Sequence, residues 1–306
     1  MKKKILILGG TGFIGSALIN FFKNKSTFDL TSVSSKKITG KQKIKNVRHI
    51  ICDISKKKDI KKKLKNLSFD YIINLAGYVD HKHKIKTYNS HYRGVKNISN
   101  FFLKKKIRKF IQFGSSLEYG KSIVPHKENM IVNENSLKST YAKSKYLATK
   151  HLININKKYK FPVVIFRLYL AYGPGQATNR VIPIVINNCL KNLNFEVSSG
   201  QQVRDFIFID DLVLAVYKSL NIKKNVGKIY NLGSGKPIRV KDLIDKIILK
   251  IGNGKPIYGK IPFRKDEQKK IYPSIEKIKR DFKFSPKYSI EKGLEKTIKF
   301  YKKSFK

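Results

Sequence analysis

Ile5-Leu6-Ile7-Leu8 runs directly into Gly9-Gly10-Thr11-Gly12-Phe13-Ile14-Gly15, and Ser16 to Phe22 continues in a helical pattern. This junction of strand, glycine turn and helix constrains the fold more than any other stretch. A short apolar run with no alternation suits a strand covered on both faces, the situation in a parallel sheet flanked by helices. Each glycine has its own task. Gly9 permits the tight turn, Gly12 lets the backbone approach a pyrophosphate, and Gly15 lets helix and strand pack closely. The helix N-terminus then offers unpaired N–H groups and partial positive charge to phosphates, with Thr11, Phe13 and Ile14 beside it. The spacing here is G-x-x-G-x-x-G rather than G-x-G-x-x-G.

The alternation continues down the chain. Strands are expected at 29–34, 47–51, 71–75, 110–113 and 161–168, and helices at about 60–67, 87–105 and 141–160. Repeated β-α units argue an α/β, doubly wound parallel sheet of about seven strands, with ligands at the carboxyl ends of the strands. Gly9, Asp53-Ile54, Leu75-Ala76-Gly77 and Ser115 all fall at such ends. The second strand should end at a cofactor ribose. Asp or Glu there would accept a 2′-hydroxyl, but this chain has Ser34-Ser35-Lys36-Lys37, which suits a 2′-phosphate and favours NADP(H) over NAD(H). After Leu168 the pattern loosens, with helices expected near 181–193, 239–251, 274–281 and 290–303. A nucleotide-binding domain over 1–170, completed by parts of 205–235, and a smaller lobe over 171–306 follow from this division.

The formal charge is +47, from 67 Lys and Arg against 20 Asp and Glu. Only 9 of the basic residues are Arg, and the lysines run through every segment. Nucleic-acid binders cluster Arg and Lys with aromatics or a recognition motif, and no such motif occurs, so specific nucleic-acid binding is not expected. The field could still steer an anionic small molecule. The basic opening Met1-Lys2-Lys3-Lys4 precedes only four apolar residues, too few for a signal peptide, and no apolar run reaches membrane-span length. A cytoplasmic protein is the expectation. Cys52 and Cys189 lack metal-ligand spacing and are expected to be inert thiols.

Two further motifs carry chemistry. Tyr141-Ala142-Lys143-Ser144-Lys145 lies in a stretch without Gly or Pro, so Tyr141 and Lys145 share one helical face. A charge at ~4 Å in an effective dielectric near 20 is worth about 4 kcal/mol, enough to draw a phenol toward neutral pH by up to roughly three pKa units. Upstream stands Ser115-Ser116-Leu117-Glu118-Tyr119-Gly120.

Taken together with Gly9/Gly12/Gly15, Asp53, Asn74-Leu75-Ala76-Gly77, Tyr172-Gly173-Pro174 and Arg204-Asp205-Phe206, these motifs resemble the extended short-chain dehydrogenase/reductase family of nucleotide-sugar epimerases, dehydratases and ketoreductases. The resemblance covers nearly the whole chain. It implies a Rossmann-like fold with a substrate-binding C-terminal lobe and a catalytic trio of Ser115, Tyr141 and Lys145, of which Tyr141 and Lys145 also meet the cofactor, Lys145 at the nicotinamide ribose. It also implies Asp53 at the adenine, Ala76 in the cofactor channel and Pro174 near the nicotinamide. Ser116 and Asn179 would meet substrate, and Arg204 and Arg264 would clamp the pyrophosphate of a nucleotide-diphosphate sugar. A homodimer through the helices near 87–105 and 141–160 is implied, with Tyr92, Val95, Ile98, Phe102, Tyr146 and His151 as surface candidates.

Departures narrow the reaction. The family's 4,6-dehydratases follow the serine position with an Asp-Glu pair, whereas Ser116-Leu117 follow Ser115 here. Glu118 comes one position late and, on strand alternation, would face the other way. Leu117 cannot exchange a proton as the cysteine of the GDP-fucose synthase type does. Ser-x-x-Glu-Tyr-Gly looks like the 4-ketoreductases that make deoxysugar nucleotides such as CDP-abequose. An NADPH-dependent 4-ketoreductase is therefore the expectation, with an NAD-dependent 4-epimerase as the alternative and a non-catalytic cofactor-binding protein, which would commonly lack the tyrosine or lysine kept here, as the less favoured one. His91, where the family often has Asn, is read as a buried helix residue, the other reading being that it replaces that residue's hydrogen bond.

Overall fold

A computed structural model describes residues 2–40, 43–80, 82–262 and 267–305. In chain order the strands are β1 Lys3–Leu8, β2 Phe28–Ser34, β3 Arg48–Ile51, β4 Tyr71–Asn74, β5 Lys109–Ser115, β6 Val163–Leu168, β7 Leu170–Tyr172, β8 Asn194–Glu196, β9 Val203–Phe208, β10 Lys228–Leu232, β11 Pro237–Arg239, β12 Lys255–Ile257 and β13 Lys270–Ile271. The α-helices are α1 Phe13–Lys23, α2 Lys57–Leu64, α3 Lys84–Tyr88, α4 Gly94–Leu103, α5 Thr140–Tyr159, α6 Val181–Leu190, α7 Ile209–Asn221, α8 Val240–Ile251, α9 Glu276–Phe282 and α10 Ile290–Phe305. The chain divides into two compact units. The first comprises Met1–Lys121, Glu128–Leu168 and Val216–Tyr230; the second comprises Ser122–Lys127, Tyr169–Ala215 and Asn231–Lys306.

The first unit is built on a seven-stranded sheet of order β10-β6-β5-β4-β1-β2-β3. From β3 to β6 the neighbouring pairs run parallel. Ile5 to Leu8 are fully buried, as are Val163 to Phe166, which is why both read as unbroken apolar runs. The strand order reverses between β1 and β4, and the glycine turn leaves β1 at that switch point. The second unit carries β11-β9-β13 with β7 beside β9, and a separate β12-β8 pair.

Two expectations change. The single helix foreseen over about 87–105 is α3 and α4 joined by a π-helical turn, Asn89–Arg93. Such a turn inserts an extra residue and is frequent at functional sites. The surface expected for a dimer also loses residues. Val95, Ile98 and Phe102 are the i, i+3, i+7 stripe of α4, and all three are buried in the core cluster with Leu6, Ile72 and Phe110. A stripe of that period marks the buried face of a helix without saying what buries it. Here the sheet does. Tyr92, Tyr146 and His151 remain half-buried, and His151 Nε2 lies 3.0 Å from Ser99 Oγ.

Candidate active site

In the first unit the carboxyl ends of β1, β2, β4 and β5 and the first turns of α5 hold most of the chemistry-bearing residues. Gly9 sits at φ +80°, where side chains are strained, and a Cβ there would come within 3.0 Å of the Ala76 nitrogen. At Gly15 a Cβ would lie 2.3 Å from the Gly9 carbonyl oxygen, so α1 starts hard against the loop. Gly12 is different. It is exposed, its nearest atom to a Cβ would be 3.4 Å away, and it caps α1 with no side-chain hydrogen bond. The uncapped N-terminus beside Thr11, Phe13 and Ile14 thus has room on one face and N–H groups for an anion. A dinucleotide pyrophosphate fits this cradle.

At the end of β2, Ser34 is buried and closed into its own turn. Its Oγ accepts the Lys36 N–H at 3.2 Å and donates to the Lys36 carbonyl at 3.0 Å. Ser35, Lys36 and Lys37 are exposed. Asp53 likewise turns on itself, accepting the Ser55 N–H at 2.9 Å and the Ser55 hydroxyl at 2.7 Å. Asn97 on α4 donates to the carbonyls of Ile54 and Ser55 and so pins this loop. At β4, the buried Asn74 donates to Gln112 at 2.8 Å and accepts the Ala76 N–H at 3.2 Å, which orients Leu75-Ala76-Gly77.

His91, in the π turn, is 5 % exposed, and its Nε2 lies 3.0 Å from the Tyr78 carbonyl oxygen. Its ring meets Tyr141 edge-on, with centroids 4.9 Å apart and planes at 88°. A Cβ on Gly77 would fall 2.0 Å from the same imidazole. His91 is therefore both a buried helix residue and a hydrogen-bonded one, and it forms one wall against which the Tyr141 ring stands.

Lys145 is buried, and its Nζ donates to the Phe113 carbonyl of β5 at 2.7 Å, 5.8 Å from the Tyr141 ring centroid. Burial pushes its ammonium down to about 8, with the Glu118 carboxylate opposing. Tyr141 is half-buried one turn earlier on α5, whose N-cap, Ser139, accepts the Ala142 N–H. Ser115 closes β5. Its Oγ accepts the Leu117 N–H at 3.2 Å, which leaves its own hydrogen to donate outward. Ser116 and Leu117 are half-buried in the 3₁₀ turn that follows, Ser116–Tyr119.

Glu118 corrects the strand-alternation argument. The strand stops at Ser115, so alternation no longer applies, and Glu118 folds back to accept the Ser115 N–H at 2.8 Å. It is fully buried and pairs with Arg167 Nε of β6 at 3.1 Å. The Arg167 guanidinium stacks 4.3 Å from the Tyr119 ring centroid, and its pKa is raised by Glu118 even though burial opposes its charge. The signal for this clamp was present as Ser115-x-x-Glu118, a capping box. Arg167 carried no local signal.

In the second unit, Pro174 follows β7 half-buried and Asn179 is exposed. Arg204 pairs with Glu267 at 2.9 Å and also donates to the carbonyls of Val203 and Lys269. Arg264 lies outside the described residues. Among the described residues no helix is long and apolar enough to cross a membrane, and no group of His, Cys, Asp and Glu is placed to hold a metal ion.

A family model described as the NAD dependent epimerase/dehydratase family matches residues 5–233. The chain belongs to that family. A putative UDP-glucose 4-epimerase of Methanocaldococcus jannaschii is 28 % identical over 311 residues, covering 97 % of this chain and 98 % of that protein. CDP-abequose synthase of Salmonella muenchen is 31 % identical over 165 residues, 52 % of this chain and 56 % of that one. Among solved structures, the dTDP-glucose 4,6-dehydratase of Bacillus anthracis in complex with NAD is 24 % identical, with a TM-score of 0.86 over 98 % of this chain and 97 % of that chain. This epimerase/dehydratase chain shares the α/β fold of that solved structure, and the named relatives are enzymes of nucleotide-sugar conversion.

Proposed function

We propose that this family member is an NADPH-dependent ketoreductase acting at C4 of a nucleotide-linked 4-keto-6-deoxyhexose. The observation that carries the reading is the end of β2, where exposed Ser35, Lys36 and Lys37 stand in place of a carboxylate and suit a 2′-phosphate. The Ser34 hydroxyl, engaged by the Lys36 backbone, shapes the turn that presents them. Dehydration needs an acid and a base at two carbons, and Ser116-Leu117 supply neither.

The cofactor, when bound, supplies hydride to the carbonyl carbon. Tyr141 gives its phenolic proton to the carbonyl oxygen, and the Ser115 hydroxyl donates a hydrogen bond to the same atom. Lys145 provides positive charge beside Tyr141. These donors meet charge that develops only in the transition state, so they accelerate reaction rather than merely tighten binding. Association through the π turn before α4 and through α5 belongs to the same reading and now rests on Tyr92, Tyr146 and His151. Sedimentation in physiological salt checks it, and a monomer rejects it.

The second reading is a nucleotide-sugar 4-epimerase retaining NAD. The full-length likeness to the Methanocaldococcus protein and the NAD in the Bacillus structure favour it. Stoichiometry separates the two. Purified protein is offered CDP-, dTDP-, UDP- and GDP-linked 4-keto-6-deoxyhexoses with NADPH, and UDP-glucose without it. One NADPH consumed per product supports the reductase. Interconversion of hexose nucleotides with no net change in reduced cofactor assigns the epimerase.

A further inference from the structure

The buried pair Glu118–Arg167 lies outside the trio yet touches two of its supports. The Phe113 carbonyl and the Ser115 N–H stand two residues apart on β5, so they leave the same edge of that strand. Lys145 takes the first and Glu118 the second. Between them lies Gly114, where a Cβ would fall 2.3 Å from Glu118 Oε1. The carboxylate is fully buried, and Arg167 holds its other oxygen. An ordinary turn needs no buried carboxylate at its cap. A buried ion pair is costly to build and is weak evidence for stability, so its value has to be sought elsewhere.

We propose that Glu118 is a positioning residue for the reaction: it clamps the Ser115 backbone at the end of β5, two residues from the carbonyl that holds Lys145, and its carboxylate, fixed by Arg167, is the buried counter-charge to that lysine. Burial alone drives the Lys145 ammonium down, and Glu118 is the group that resists. The other groups around this pair are Tyr141 on the helix of Lys145, Tyr119 in the 3₁₀ turn, Arg167 on β6 and, against the Tyr141 ring, His91. Glu118 is the one carboxylate among these named groups. The proposal takes Ser115 and Lys145 as site residues, as the reading above does, but it does not depend on which sugar is turned over.

The test uses the full chain and no substrate. Competitive acetic anhydride labelling across pH, resolved peptide by peptide by mass spectrometry, reports the titration midpoint of each lysine. Lys109 serves as internal reference. It is buried, its Nζ donates to the carbonyls of Ser219 and Ile222, and burial alone lowers it, also to about 8. Glu118→Gln keeps an acceptor for the Ser115 N–H and removes the charge. The Lys145 midpoint is expected to fall by about half a pH unit or more, with Lys109 unchanged. Glu118→Asp, which keeps the charge, should restore it. If the single variant does not fold, Glu118→Gln with Arg167→Met removes the ion pair as a unit and should give a smaller fall in the same direction, since the Arg167 charge leaves with it. A Lys145 midpoint that stays in place, or one that moves together with Lys109, overturns the proposal. NADPH and NADH titrations by fluorescence supply a second profile: affinity should decline above about pH 8 in the wild type and from a lower pH in Glu118→Gln. Failure to bind either cofactor would count against the reductase reading, while the labelling result would still decide the role of Glu118.

Discussion

Gly12 and Gly15 lie three residues apart in one loop, and alanine at each should do opposite things. At Gly15 a Cβ would meet three backbone atoms, the Gly9 oxygen at 2.3 Å and the Gly10 Cα and carbonyl carbon at 2.7 and 2.9 Å. Backbone cannot rotate away, so α1 must shift bodily from β1, and overpacking of this kind costs about 3 kcal/mol. Alanine returns about 1 kcal/mol in helix propensity. A net loss near 2 kcal/mol corresponds to a fall in Tm of about 4–8 °C at this chain length. Gly12 has φ −76° and ψ 169°, which alanine adopts freely, and its Cβ would meet nothing closer than 3.4 Å. Gly12→Ala should therefore keep its Tm within about 2–4 °C of wild type, since a poorer N-cap costs no more than about 1 kcal/mol. Its methyl group would stand where a pyrophosphate approaches the uncapped N-terminus of α1, and cofactor affinity should drop by about tenfold or more, or 1.4 kcal/mol. Differential scanning fluorimetry and NADPH fluorescence titration on both variants decide the matter. Wild-type cofactor affinity in Gly12→Ala would show that this face of the loop does not receive the phosphates. An unaltered Tm in Gly15→Ala would show that the loop and helix are not packed as described.

Tyr141→Phe should lower turnover by roughly 10²–10⁴ with cofactor affinity nearly intact, and equal losses in both would point to a positioning role for the ring. Cys52 and Cys189 are buried, and burial pushes their thiols up to about 12 and about 11, so the native protein at pH 8 should release almost no chromophore from a thiol-disulfide reagent, and two equivalents once unfolded. Lys109 and Lys145 are both held near 8 by burial, against 10.5 when exposed, so the unfolded chain binds more protons between these values and each residue adds stability as pH rises through that window. Lys109→Met should flatten the rise of Tm between pH 8 and 10.5, and it should lower Tm at pH 7.5 only if the freed carbonyls of Ser219 and Ile222 outweigh the charge removed.

The parts legible in the sequence are those whose physics is local. A glycine that must take a positive φ, an apolar strand running into it and a helix leaving it all lie within one short stretch, and the loop from Gly9 to Gly15 could be read outright. The Tyr141–Lys145 face followed from helical spacing for the same reason. The dimer stripe failed because Val95, Ile98 and Phe102 have a period without an address: a sheet and a partner helix call for the same residues. The role of His91 is not legible locally, because its contacts lie at Tyr78, Gly77 and Tyr141, and no spacing rule joins position 91 to position 141.

Glu118 is the instructive case, because the sequence held the answer and the wrong period hid it. Strand alternation continued past Ser115 would turn the carboxylate away, whereas Ser-x-x-Glu is also the spacing at which a cap and its third residue bond reciprocally. Gly120, at φ +59°, ends that turn within one residue of Tyr119, which argues against an extended strand there. The buried carboxylate then required a cation, and a single sequence offers no means of choosing Arg167 among the basic residues of so lysine-rich a chain. What could have been inferred is the demand itself. Glu118 caps a turn between a core strand and a core aromatic, so its carboxylate has to be satisfied internally, and in a chain of net charge +47 a partner is never far. A lysine would neutralise it as a point charge. Arg167 also lays its guanidinium plane against Tyr119, and this fixes the carboxylate in direction as well as in charge. Directional fixing is what a residue holding the Ser115 backbone needs, and it is the reason the charge balance of the site is set behind the strand rather than at its open end.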